Sequence, residues 1–172
     1  TCDYPKPLLD AREPVELLYY SGNREYRNTR CIAIVGTRKP PSKGLTTAAE
    51  LDRQLVADNF TIVSGLALGI DTQAHSSAIA ANGRTAAVIG TPLNRVYPEE
   101  NAELQERIAR EHLLISQVPF FRYTQQSIGG NKLFLPERNK TWSALTEATL
   151  ISEAGETSGT LVQGRAGLDR KR

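Results

Sequence analysis

The 172-residue chain has only two cysteines, Cys2 and Cys31, and two histidines, His75 and His112. Two such distant thiols make no disulfide framework, and no Cys or His pair has the short spacing of a structural zinc site. Cys31 opens an apolar run, where a small buried residue is expected. Aromatic residues are 6% of the chain, so the core must come from Ala, Val, Ile and Leu, which suits helices packed on a parallel sheet. No stretch approaches 18 uninterrupted apolar residues and no signal-peptide pattern opens the chain, so a cytoplasmic protein without a membrane segment is expected. Excess charge is also scarce: the formal net charge of +2 is too small to indicate a nucleic acid unless the charges cluster. The start at Thr1 without a methionine and the abrupt end in Asp169-Arg170-Lys171-Arg172 are what a fragment or trimmed chain would show.

Periodicity is plentiful. Residues 1–29, with Pro5, Pro7 and Pro14, suggest an extended N-terminal arm packing on the core, with one short strand at Leu17–Tyr20. From Arg30 onward apolar runs alternate with helical patterns. Strands are expected at Cys31–Val35, Phe60–Val63, Arg84–Ile89, Leu113–Val118 and Ala148–Glu153. Helices are expected at Leu45–Asp58, Ile70–Ala81, Glu99–Glu111 and from Pro136 to about Glu147, with a last one entered at Ser158 and cut short. The stretch Pro119–Leu135 has no clear period and is expected to be a long irregular loop of the binding type. Such alternation implies right-handed crossovers and a doubly wound, mostly parallel Rossmann-like α/β sheet with helices on both faces, occupying residues 30–172.

Ligands of such sheets collect beyond the carboxyl ends of the strands. Those ends read Gly36-Thr37-Arg38, Ser64-Gly65-Leu66-Ala67-Leu68-Gly69, Gly90-Thr91, and Glu153-Ala154-Gly155 leading to Ser158-Gly159-Thr160. Glycine lets a backbone approach an anion, and the helix entered next points unpaired N–H groups at it. Tight βα turns use glycine too, so each loop alone says little; four on one edge, with Arg38 among them, favour a phosphate-bearing ligand. Lys43, Arg95, Lys132, Arg138 and Lys140 fall near the same edge, as a polyanion would require. The G-x-G-x-x-G fingerprint is absent and no acid closes the strand ending at Ile89, which disfavours NAD. No G-x-x-x-x-G-K-[ST] loop is present, which disfavours nucleoside triphosphate hydrolysis. Asp71 stands where it can cap the helix entered at Ile70. His75 is a lone helical histidine of the kind more often packed than catalytic.

Five ordered motifs are more specific: Ile34-Val35-Gly36-Thr37-Arg38, Ser64 through His75, Arg95-Val96-Tyr97-Pro98-Glu99-Glu100-Asn101, Pro136-Glu137-Arg138-Asn139, and Glu153-Ala154 followed by Ser158-Gly159-Thr160. Over residues 4–168 the chain resembles the DNA-processing protein DprA (Smf) family. The resemblance implies a single-stranded DNA-binding protein without enzymatic turnover or cofactor, working as a homodimer, with RecA as a candidate partner during natural transformation or recombination. It places the phosphate contacts at Gly36, Thr37, Arg38, Lys132, Arg138 and Asn139, beside the loop residues Ser64, Gly65, Gly69, Ser158, Gly159 and Thr160. The family's aromatic before Pro-x-Arg-Asn is replaced by Leu135, leaving Phe134 as the candidate ring for base stacking. The family's Gly-Thr-Gly-Leu-Asp becomes Gly90-Thr91-Pro92-Leu93-Asn94, a stiffer loop without the carboxylate. The alternative is a nucleotide-sensing domain of SLOG type. Phosphoribohydrolase chemistry is disfavoured, because Gln163 stands where those enzymes carry an acid and an amide is no general acid or base.

Overall fold

The computed structural model describes residues 17–131 and 134–152. In chain order the elements are β1 (Tyr19–Gly22), a 3-10 turn (Arg24–Asn28), β2 (Cys31–Gly36), α1 (Ser42–Ala57), β3 (Thr61–Ser64), α2 (Ile70–Ala80) and β4 (Arg84–Ile89). A second 3-10 turn (Glu99–Asn101) then leads into α3 (Ala102–Glu111), β5 (Leu113–Ser116), α4 (Phe120–Gln125), α5 (Ile128–Asn131), α6 (Phe134–Leu145) and β6 (Ala148–Ser152).

The six strands form one sheet in the order β1-β5-β4-β3-β2-β6. Every pairing is parallel except β1 with β5, where Tyr19 faces Ser116 and Gly22 faces Leu113. The chain winds outward from β2 through β3, β4 and β5, then returns to lay β6 on the other side of β2. That reversal creates the crevice at the carboxyl ends where ligands of open α/β sheets bind. The doubly wound reading therefore holds, with an antiparallel edge strand added. Part of the expected N-terminal arm supplies that strand, two residues later than Leu17–Tyr20 suggests.

Alternation along the strands sends side chains to opposite faces. Cys31 and Val35 of β2 join Val63, Val88, Ile115 and Trp142 of α6 on one face. Ile32 and Ile34 join Ile62 and the small face of α2, Ala74 and Ala78, on the other. Leu66, Ile89, Ile108 and Leu114 continue that second layer under α3. Trp142, 2% exposed, is the largest fully buried side chain among the described residues and anchors α6 in a largely aliphatic core.

Two expectations need correction. The stretch after Pro119 is not irregular: Pro119 enters α4, the Ser127 hydroxyl accepts the Gly130 N–H, and the Asn131 amide donates to the Tyr123 carbonyl, building α4 and α5. Side-chain caps supplied what the weak helix propensity of Gly129-Gly130 hid. Helix α6 starts at Phe134, with Pro136 inside its first turn, where a missing N–H costs no hydrogen bond.

Candidate functional site

The loops after β2, β3 and β4 converge with α6 on one cleft of about 70 Å³, lined by Arg38, Gly65, Ala67, Leu68, Tyr97, Pro98 and Arg138. Each loop is fixed by bonds that its sequence encodes. After β2, the Thr37 hydroxyl accepts the Lys39 N–H and its carbonyl accepts the Ile70 N–H, turning the chain so that Arg38 stands exposed. After β3, Leu66 takes the left-handed conformation (φ 64°) and its carbonyl is held by the Asn101 amide at 2.9 Å. Asn101 also donates to the Thr72 hydroxyl, which in turn donates to the Ala67 carbonyl. The Asn of the Val-Tyr-Pro-Glu-Glu-Asn motif thus clamps the Gly-rich loop, a role that spacing alone does not reveal.

Two glycines are needed for close approach within the protein. At Gly69 φ is 82°, and a Cβ there would land on the Thr37 carbonyl oxygen. A Cβ at Gly65 would lie 2.6 Å from the Arg138 guanidinium carbon. Gly36, the last residue of β2, pairs with Ser152 of β6. The expectation that these loops offer a row of free N–H groups to an anion is therefore amended. The Ile70 N–H is bound by Thr37, the Thr72 N–H by the Ala67 carbonyl, and the Ala67 N–H by the Asp71 carboxylate. Asp71 occupies the first turn of α2, so the helix dipole there already faces a carboxylate. Ser64 likewise turns inward: its buried hydroxyl donates to the Ile34 carbonyl at 2.6 Å, stapling β3 to β2.

The cleft keeps two guanidinium groups. Arg138, 8% exposed, reaches from α6 under the loop, donates to the Gly65 carbonyl and lies 5.5 Å from the Trp142 ring centre. Burial pulls its pKa down, Asp71 holds it up, and the charge of Arg38 pushes it down again. An arginine stays protonated through such shifts. Asp71 is raised by burial, with Arg138 and the Ala67 and Gly65 N–H groups opposing. Arg38 has no ion pair among the described residues. Two like charges near one buried carboxylate leave the cleft net positive, and an anion at its mouth relieves the repulsion. Exposed Lys43, in the first turn of α1, and exposed Arg95, on the loop after β4, extend the positive edge.

Other expected residues fall elsewhere. Asn139 is half-buried on α6, and its side-chain oxygen has no hydrogen-bond partner among the described residues. Phe134 is 5% exposed, with its ring stacked on Tyr123 at 6.3 Å and Arg122 at 5.6 Å, so neither face lies open. Lys132, Ser158, Gly159, Thr160 and Gln163 lie outside the described residues. His75 is a packed histidine: its Nδ1 lies 2.7 Å from the Thr85 hydroxyl, which donates to the Ile62 carbonyl, so Nδ1 carries the proton. Burial, aided by the neighbouring charges, lowers its pKa to about 3.

This arrangement can be set against known proteins. The model of the DNA recombination-mediator protein A family matches residues 1–172. The chain belongs to that family. Protein Smf of Synechocystis is 40% identical over 167 residues, covering 95% of this chain and 40% of that protein. DNA processing protein A of Streptococcus pneumoniae superposes with a TM-score of 0.87 at 33% identity, covering 98% of this chain and 57% of the other. DNA processing protein A of Helicobacter pylori, whose structure concerns its single-stranded DNA binding mode, matches with a TM-score of 0.87 at 27% identity, covering 99% of this chain and 76% of the other. The chain therefore spans well under two thirds of the first two. No helix among the described residues is long and apolar enough to cross a membrane.

Proposed function

We propose that this domain binds single-stranded DNA across the cleft at the carboxyl edge of the sheet, with Arg38 as the principal phosphate contact, in a DNA-processing role without turnover. The observation that carries the reading is the exposed Arg38 beside the buried, partly compensated Arg138, in the fold shared with a relative described by its single-stranded DNA binding. In this reading Arg138 acts from behind, adding potential while holding the Gly65 loop. Gly36, Thr37, Gly65 and Gly69 shape the loops that present Arg38. Asn139, Lys132, Ser158, Gly159 and Thr160 are assigned to the same polar track along the strand. The cleft is well below the roughly 300–1,000 Å³ of small-molecule pockets, which favours a chain laid across it over an enclosed nucleotide.

Fluorescence anisotropy with a labelled oligonucleotide at two salt concentrations tests the reading. Binding should weaken steeply with salt, because each neutralised phosphate releases counterions. Arg38→Ala should weaken it roughly tenfold, the loss of one charge-assisted contact of about 1.5 kcal/mol. Absence of binding at low salt, or unchanged affinity in the variant, overturns the assignment. The reading extends to a cytoplasmic homodimer that delivers DNA to RecA; sedimentation of the protein and its co-purification with RecA and DNA test those parts separately.

A further inference from the structure

The cleft contains an aromatic side chain with no role so far. Tyr97 is 55% exposed and lines the same cleft as Arg38, with Leu68, 37% exposed, also in the lining. Its ring packs on no other aromatic ring among the described residues. A large exposed aromatic is normally mobile, yet this one sits on a loop bolted at several points. The Gln105 amide and the Thr91 hydroxyl both donate to the Arg95 carbonyl, at 3.0 and 3.3 Å. The Ser116 hydroxyl donates to the Thr91 carbonyl at 2.7 Å, and the Asn101 N–H to the Pro98 carbonyl at 3.1 Å. The Arg95 N–H closes a turn on the Pro92 carbonyl. The backbone on both sides of Tyr97 is therefore fixed before any ligand arrives, and only the ring's own rotamers remain to be ordered.

Resting on the single-strand reading above, we propose that Tyr97 is the stacking platform for a nucleobase whose neighbouring phosphate is held by Arg38. A cation and a pre-positioned aromatic face in one cleft match the two halves of a nucleotide unit: a phosphate and a flat, unpaired base. Phe134, the ring that the sequence offers for this task, is enclosed by Tyr123 and Arg122 and cannot do it without repacking. The exposed rings of Tyr20 and Phe121 do not line the cleft, being on the edge strand β1 and on α4. Every base has a π face, so the site tolerates any sequence; a duplex has its base faces stacked away, so the site discriminates against it.

The experiment compares the wild type, Tyr97→Phe and Tyr97→Ala by anisotropy on a labelled oligonucleotide and on an abasic strand of equal length and charge. Thermal melts confirm that the variants fold, as expected for an exposed ring. The expected result is a loss of about 5- to 150-fold for Tyr97→Ala on the normal strand. Tyr97→Phe should bind normally, and the wild type and Tyr97→Ala should bind the abasic strand equally. Equal binding of the normal strand by Tyr97→Ala, alongside intact salt dependence and Arg38 sensitivity, overturns the platform and leaves the DNA reading standing. An equal loss on both strands also overturns it, because the ring would then be supporting the loop. No wild-type binding at low salt removes both.

Discussion

Asp52 lies in the middle of α1 with no exposed surface, on the side that packs against α2. Neither of its carboxyl oxygens has a hydrogen-bond partner among the described residues. Burial lifts its pKa from 3.8 to about 7, and the nearby Ser77 hydroxyl, not placed for a well-formed hydrogen bond, draws it back only in part. In the unfolded chain the same group titrates near its ordinary value. Between about pH 4 and pH 7 the native protein therefore holds a proton that the unfolded chain has released, so stability is greatest at the acid end and falls as pH rises. The shift of about three units corresponds to a ceiling of about 4 kcal/mol at pH 8, at 1.36 kcal/mol per unit, and relaxation around the charge reduces this to about 2 kcal/mol. Asp52→Ala removes the charge and places a better helix former in α1, at the cost of a small void. It should raise the melting temperature by roughly 4–8 °C at pH 8, and the gain should shrink toward zero at pH 4.5. Asp52→Asn, which keeps the volume, should show the same pH trend with a smaller gain. Melts at the two pH values decide the matter. A gain of the same size at both, or a less stable Asp52→Ala protein at pH 8, would refute a neutral, weakly partnered carboxyl at this place.

His75 works in the opposite direction. Its buried imidazole resists protonation down to about pH 3, whereas the unfolded chain takes up a proton near 6.5, so its share of stability is present above 6.5 and lost as pH falls. His75→Asn, whose amide can still donate to Thr85, should retain about 3 kcal/mol more of its neutral-pH stability at pH 4, read from urea unfolding at both pH values. An acid limb that coincides with the wild type's would show that other groups govern it. Gly69→Ala should cost about 2–4 kcal/mol, from the left-handed backbone and the collision with the Thr37 carbonyl. A melting temperature within about 1 °C of the wild type's would mean that the β2 and β3 loops part easily.

The strands and the larger helices were legible because their signals are local. Runs such as Cys31–Val35 and Arg84–Ile89 can bury themselves only as interior strands, and α3 repeats its apolar residues Leu104 and Ile108 at helical spacing. Arg38 was legible because a strand end, a glycine and a cation fall together at the edge where such sheets bind ligands. What escaped was long-range. Asn101 reaches Leu66 across 35 positions, and Arg138 reaches Gly65 across 73. Neither pairing leaves a trace in periodicity. The same gap explains why the glycines suggested free amides for an anion while the folded loops spend several of those amides on one another. It also explains which ring is open to solvent, since exposure depends on what packs opposite. Phe134 is covered by the helix that forms after Pro119, while Tyr97 is held out by a loop whose anchors, Gln105 and Ser116, belong to later elements. A motif therefore located the edge and the cation. Tertiary contact alone decided which ring faces the cleft: Tyr97 on the β4 loop lines it, while Phe134 at the start of α6 is covered.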